Sequence, residues 1–174
     1  MRILEVEPAY YSKYPPLGLL KLGKMEERDW NDVSLVNGLQ HVDFIPSKIY
    51  ITSLFTYSWK AVHEAIEFYH KQFPNVPILV GGIYATLMPN NIKKAFPYAQ
   101  IHLGLYPEAE NLLPAYHLLN QVDKWKNWDR SIVFTSSGIN LIGYTEAPHV
   151  IRFFNLKRKS SGVSPFLCCA SQKL

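Results

Sequence analysis

Two apolar, β-branched runs without polar alternation, KIYITSLF at 48–55 and PILVGG at 77–82, enclose the segment SWKAVHEAIEFYHKQF at 58–73. Strands that read as near-continuous apolar runs are covered on both faces. The enclosed segment spaces Trp59, Val62, Ile66, Tyr69 and Phe73 by 3, 4, 3 and 4, the single stripe of an amphipathic helix. Lys60, His63, Glu64, Glu67, His70 and Lys71 fall mostly off that stripe, so the two histidines are expected to be solvated. A buried strand, a helix and a second buried strand make a parallel crossover unit, which requires a sheet with helices on its faces.

The same alternation runs along most of the chain. RILEV (2–6) reads as a strand stopped by Pro8, and the loop AYYSKYPP ends in two prolines that pre-set a helix at LGLLKLGKMEER (17–28). DVSLVNGL (32–39) is a second strand closed by Asn-Gly, NNIKKAF (90–96) a short helix, QIHLGL (100–105) a fifth strand and PEAENLLPAYHLL (107–119) a helix broken at Pro114. NQVDKWKNWD (120–129) reads as a polar, aromatic surface connection and SIVFT (131–135) as one more strand-like run. The pattern is that of a doubly wound, mainly parallel five-stranded α/β sheet. At 174 residues and 48% hydrophobic, the chain has enough apolar material for one domain with a core of its own.

Charge places the basic residues in one region. From Val150 onward there are five cations and no carboxylate; without them, thirteen basic side chains face fourteen acidic ones, a net charge of −1 over 1–149. A body of that balance gives no footing for nucleic acid. Cys168 and Cys169 are adjacent, which makes neither a disulfide framework nor a metal set. Glu5 and Glu7 interrupt the first apolar run, excluding a signal peptide there, and no window approaches the ~18 apolar residues of a membrane span. The expectation is a cytoplasmic chain without membrane contact.

In open sheets of this kind, ligands sit beyond the carboxyl ends of the strands. The loops there read PAYYSKYPPLG, SLFTYS, GGIYATLMP and GLYPEAE. None has the glycine pattern that cradles a phosphate at a helix start. Gly81-Gly82 leaves room for close approach by a bulky ligand or makes a tight turn, and Ser53, Thr56 and Thr86 bring hydroxyls to the same edge or cap helices. Glu108 and Glu110 suit a helix N-terminus whatever else they do. His102 alternates within the fifth strand as a core or edge residue, and no Ser/His/Asp or Cys/His set stands out. Small neutral donors and aromatic walls describe a pocket for a broad, amide-rich, weakly charged ligand.

Taken in order, YPPLGLLKLGK (14–24), ITSLFTYSWKAV (51–62), VGGIYATLMP (80–89) and GLYPEAE (104–110) resemble the N-terminal cobalamin-binding domain of cobalamin-dependent radical S-adenosylmethionine proteins, over residues 1 to about 135. The resemblance implies a flavodoxin-like (Rossmann-like) sheet with the corrinoid across its carboxyl edge. It assigns cofactor contacts to Tyr14, Pro15, Pro16, Leu17 and Gly18; to Ser53, Leu54 and Thr56; to Gly81, Gly82, Ile83, Ala85, Thr86 and Pro89; and to Gly104 and Glu108. The other cobalamin-binding motif, D-x-H-x-x-G, is absent, because no aspartate has histidine two residues on. A bound corrinoid is therefore expected without a histidine lower ligand.

In that family the domain leads into F-T-S-x-G-C-x-x-x-C-x-x-C, whose three thiolates hold an iron–sulfur cluster. FTSSGINLIGYTEAP (134–148) keeps FTSxG and then carries Ile139, Ile142 and Thr145 at the cysteine positions, so no cluster is expected. The organisation that follows is a cobalamin-binding-like domain at 1–119, a connection at 120–130, the remnant of a first strand and cluster loop at 131–148, and a basic tail at 149–174, expected to be disordered or to be read from a shifted frame. A barrel of that family takes on the order of 200 residues. The expected function is corrinoid binding by a truncated member, without radical chemistry. Two alternatives stay open: a methylcobalamin carrier serving a catalytic radical subunit in trans, and a cofactor-free flavodoxin-like remnant or interaction module. A sheet left partly uncovered would also favour self-association.

Overall fold

The computed structural model describes residues 1–126, where five parallel strands form one sheet in the order β2-β1-β3-β4-β5. The strands are β1 (Arg2–Glu7), β2 (Asp32–Asn37), β3 (Lys48–Ser53), β4 (Ile78–Gly82) and β5 (Gln100–Ile101). Connecting them are α1 (Leu17–Arg28), α2 (Trp59–Gln72), α3 (Ile83–Leu87), α4 (Pro89–Ala95), α5 (Pro107–Glu110) and α6 (Asp123–Lys126), with 3-10 turns at Thr56–Ser58 and Tyr116–Gln121. Strand order and two-sided covering make this a flavodoxin-like, doubly wound α/β fold.

Alternation along the strands sends side chains to two separate cores. Leu4, Val6, Ile49, Ile51, Ile78 and Val80 pack under α2, α3 and α4, against Val62, Ile66, Tyr84 and Ile92. Ile3, Val33, Leu35 and Tyr50 pack under α1 and the C-terminal turns, against Leu20, Leu118 and Trp125. The chain leaves β1 for the second face and β3 for the first, so the strand order reverses between β1 and β3, the position where sheets of this class hold ligands.

Most predicted elements appear within a residue or two, and the departures have local causes. β5 pairs over two residues instead of 100–105: after His102 N–H bonds Val80 O, Gly104 turns the chain at φ +75°. The segment read as the loop GGIYATLMP contains α3, because the Ser53 hydroxyl accepts from Ala85 N–H and satisfies a donor of its first turn. Trp59, placed on the buried stripe, is 43% exposed, since the first turn of α2 lies beyond the core that Val62 and Ile66 enter. His63 is not solvated: its ring packs on Trp59 and Phe96, its Nε2 bonds the Tyr84 hydroxyl, and burial lowers its pKa.

The largest difference concerns 120–129, read as a surface connection. Val122 and Trp125 are 4% and 3% exposed and belong to the α1-face core. Trp125 Nε1 donates to Glu7 Oε2 at 2.7 Å, and Lys124 Nζ reaches Glu7 Oε1 at 2.7 Å. The packed body therefore runs through residue 126, past the boundary expected at 119. The strand-like run at 131–135, Ile139, Ile142, Thr145 and the basic tail lie outside the described residues.

Candidate functional site

A recess of about 70 Å³ opens at the carboxyl end of the sheet, between the first half of α1 and the ends of β3, β4 and β5. It exists because cover on this face is uneven. The turn at Tyr116–Gln121 packs on β2 and α1 packs on β1, β2 and β3, with the four-residue α5 set against α1. Gly81 on β4 and Leu79 two residues earlier form the floor, and Gly18 and Leu22 of α1 form one wall. His102 and Tyr106 pack their rings at a 35° tilt, centroids 4.7 Å apart, at the opposite wall.

The polar groups of the recess are few and mostly engaged. Tyr50 donates its hydroxyl to Glu26 Oε1, and burial, followed by that bond, raises its pKa. His102 Nε2 bonds Leu105 O at 2.8 Å, and since a carbonyl oxygen only accepts, the ring nitrogen is the donor. Lys21 and Glu110 form a buried pair, Nζ to Oε1 at 3.3 Å, with side chains 6% and 17% exposed.

Of the expected contact residues, Gly18, Gly81, Gly82 and Gly104 come together around this recess. The physical reasons for these glycines differ. A Cβ on Gly82, at φ +110°, would stand 2.2 Å from Ser53 O, and Gly104 holds a left-handed turn, so backbone geometry accounts for both. A Cβ on Gly18 would meet nothing within 4 Å, and one on Gly81 only His102 Cβ at 4.0 Å. Neither is required by packing within the described residues; their missing methyls leave space in the recess.

The remaining expected residues lie elsewhere. Ser53 is fully buried with its hydroxyl spent on Gly81 O and Ala85 N–H. Ala85 is in the opposite core, Thr86 Oγ1 accepts from Gly104 N–H and so braces that turn, and Pro89 opens α4. Pro15, just before α1, and Leu17, its first residue, are buried, Pro16, Leu54 and Ile83 are half-buried, and Glu108 is exposed on α5. Tyr14 is 55% exposed in the loop after β1. Thr56 lines a second, open cleft of about 710 Å³ on the other face, walled by Tyr57, Trp59, His63, Tyr84 and Met88. Sequence reasoning gave no role to Lys21, Thr52, His102 or Tyr106 in the recess. Lys21 was accessible to it, since it falls three residues after Gly18 on one helix face.

Large apolar side chains are exposed beyond the carboxyl ends of four strands. Tyr11 is 79% exposed, Tyr57 76%, Leu87 56% and Leu103 57%, one from the connection after each of β1, β3, β4 and β5. Among the described residues no helix is long and apolar enough to cross a membrane. No family model, curated protein or solved structure matches the chain.

Proposed function

We propose that the chain binds a corrinoid, cobalamin or a close relative, across the carboxyl edge of its sheet, and performs no radical chemistry itself. The observation that carries this reading is the pair Gly18 and Gly81, where side-chain volume is absent at the ligand edge of the fold without a packing reason among the described residues. The exposed rings of Tyr11, Tyr14 and Tyr57 support it, because a broad macrocycle needs an apolar platform wider than any single pocket. At about 70 Å³ the recess suits one projecting group of such a ligand, with the macrocycle outside on the rim.

The test is direct. The full chain, incubated with hydroxocobalamin and freed of unbound ligand, is expected to retain the corrinoid's visible bands in stoichiometric amount. Colourless protein overturns the reading and leaves the apolar rim as a surface for protein contact.

A further inference from the structure

We propose that the Lys21–Glu110 end of the recess is a subsite for a neutral carboxamide, whose carbonyl oxygen accepts from the Lys21 ammonium while its N–H donates to Glu110 Oε2. Lys21 is only 4% exposed, and both of its hydrogen bonds go to one residue, to Glu110 O at 2.7 Å and to Glu110 Oε1 at 3.3 Å. An ammonium has three donors, so one remains for a ligand. Glu110 Oε2 is buried and has no hydrogen-bond partner among the described residues. A buried carboxylate oxygen left unpaired is costly, and such atoms in native structures call for a partner. Both residues line the recess, beside Gly18 and Gly81, whose missing side chains keep the approach open.

The chemistry of this pair disfavours charged and purely apolar groups. An anionic group would satisfy Lys21 but meet the Glu110 carboxylate. A cation would satisfy Glu110 but meet the ammonium. An apolar group would leave both unpaired, and sites built to hydrogen-bond a ligand reject analogues that lack the bond far more strongly than apolar pockets reject a misfit. A carboxamide carries its N–H donor and C=O acceptor on one carbon, without net charge, spaced to span the ammonium and the carboxylate together. The flanking Leu19, Leu22 and Leu79 accommodate whatever apolar or aromatic body bears it.

Identifying that amide as a peripheral carboxamide of a corrinoid rests on the reading above, and the two fail separately. The subsite is tested with benzamide, benzoate and benzylamine, matched in shape and differing in charge, titrated into the isotope-labelled full chain by NMR. Benzamide is expected to shift the Gly81 and Gly104 amide signals and to bind at least ten-fold tighter than either charged probe. In the double variant Lys21→Met/Glu110→Leu, which removes both charges together, the preference is expected to fall below about two-fold while signal dispersion reports an intact fold. Equal affinity for the three probes, a charged probe binding best, or no shift at those glycines in the wild type overturns the subsite, whatever the spectrum with hydroxocobalamin shows. So does retention of the ten-fold preference in a folded double variant.

Discussion

Gly23 of α1 lies directly over Glu5 of β1: a Cβ on Gly23 would stand 3.1 Å from Glu5 Oε2. The helix can approach the strand this closely only because position 23 has no side chain, and the result is to seal a carboxyl group inside the α1-face core. Glu5 is 0% exposed and neither of its oxygens has a hydrogen-bond partner among the described residues.

The first prediction concerns that carboxyl. Burial, and then the Glu26 and Glu27 carboxylates, raise its pKa well above the unperturbed value of 4.5. Between 4.5 and the raised value the folded chain therefore holds a proton that the unfolded chain has lost, so stability falls as pH rises through that window. Glu5→Gln removes the titration while keeping the shape. It is expected to gain stability over the wild type at pH 8 by about 1–3 kcal/mol, and to lose most of that advantage at pH 4.5. Thermal melts of both proteins at the two pH values check this; an advantage independent of pH counts against a neutral buried Glu5.

The C-terminal clamp gives the second. Glu7, 1% exposed, is satisfied by Asn37 Nδ2 at 3.0 Å together with Lys124 and Trp125. Trp125→Ala removes a large buried ring and one of the bonds that hold this carboxylate, with an expected cost of about 3–5 kcal/mol in urea unfolding. A chain ending at residue 119 loses Val122, Trp125 and Lys124 together and is expected not to fold cooperatively. A sharp, wild-type-like transition for residues 1–119 would show that the packing of 120–126 contributes nothing.

That clamp also shows where the sequence was opaque. The buried strands and the α2 stripe were legible because each repeats a spacing, and periodicity survives in one dimension. Trp125 is a single buried ring in a polar segment, paired with a glutamate 118 residues away, and no local pattern announces such a contact. The glycines of the recess were legible as glycines, but the distinction between Gly81, which leaves space, and Gly82, which avoids a clash, needs the neighbouring strand. Lys21 and Glu110 are likewise 89 residues apart and meet only once α5 folds back over α1.

A third prediction follows from the end of α1. Trp30 has φ +60°, and Trp30 N–H bonds Glu27 O while Asn31 N–H bonds Glu26 O, the pattern of a helix end that normally carries glycine. The indole is 93% exposed, so no burial offsets the strain. Trp30→Gly relieves a conformational cost of about 1–2 kcal/mol and gives some back as unfolded-state entropy, so a net gain of about 0.5–1 kcal/mol is expected. Differential scanning calorimetry should show a rise of a few degrees. A lowered melting temperature would mean that the ring has a contact important to the fold.

The last prediction separates glycines that serve the backbone from glycines that leave room. Gly82→Ala places a methyl 2.2 Å from the Ser53 carbonyl oxygen at φ +110°, against main chain that cannot move without breaking the β3–β4 pairing of Ser53 with Gly82. It is expected to cost more than about 4 kcal/mol, with much of the protein insoluble. Gly18→Ala lies in the first turn of α1 with nothing within 4 Å, and should stabilise the chain by up to about 1 kcal/mol through helix propensity. Gly81→Ala, in contact only with His102 Cβ at 4.0 Å, should be within about 1 kcal/mol of the wild type. If the recess receives part of a corrinoid, both tolerated variants bind hydroxocobalamin at least ten-fold more weakly while Gly81→Ala stays within about 1 kcal/mol of wild-type stability and Gly18→Ala at or above it. Stability is read by urea unfolding and affinity by visible titration. Unimpaired binding in both would remove the recess from the cofactor site.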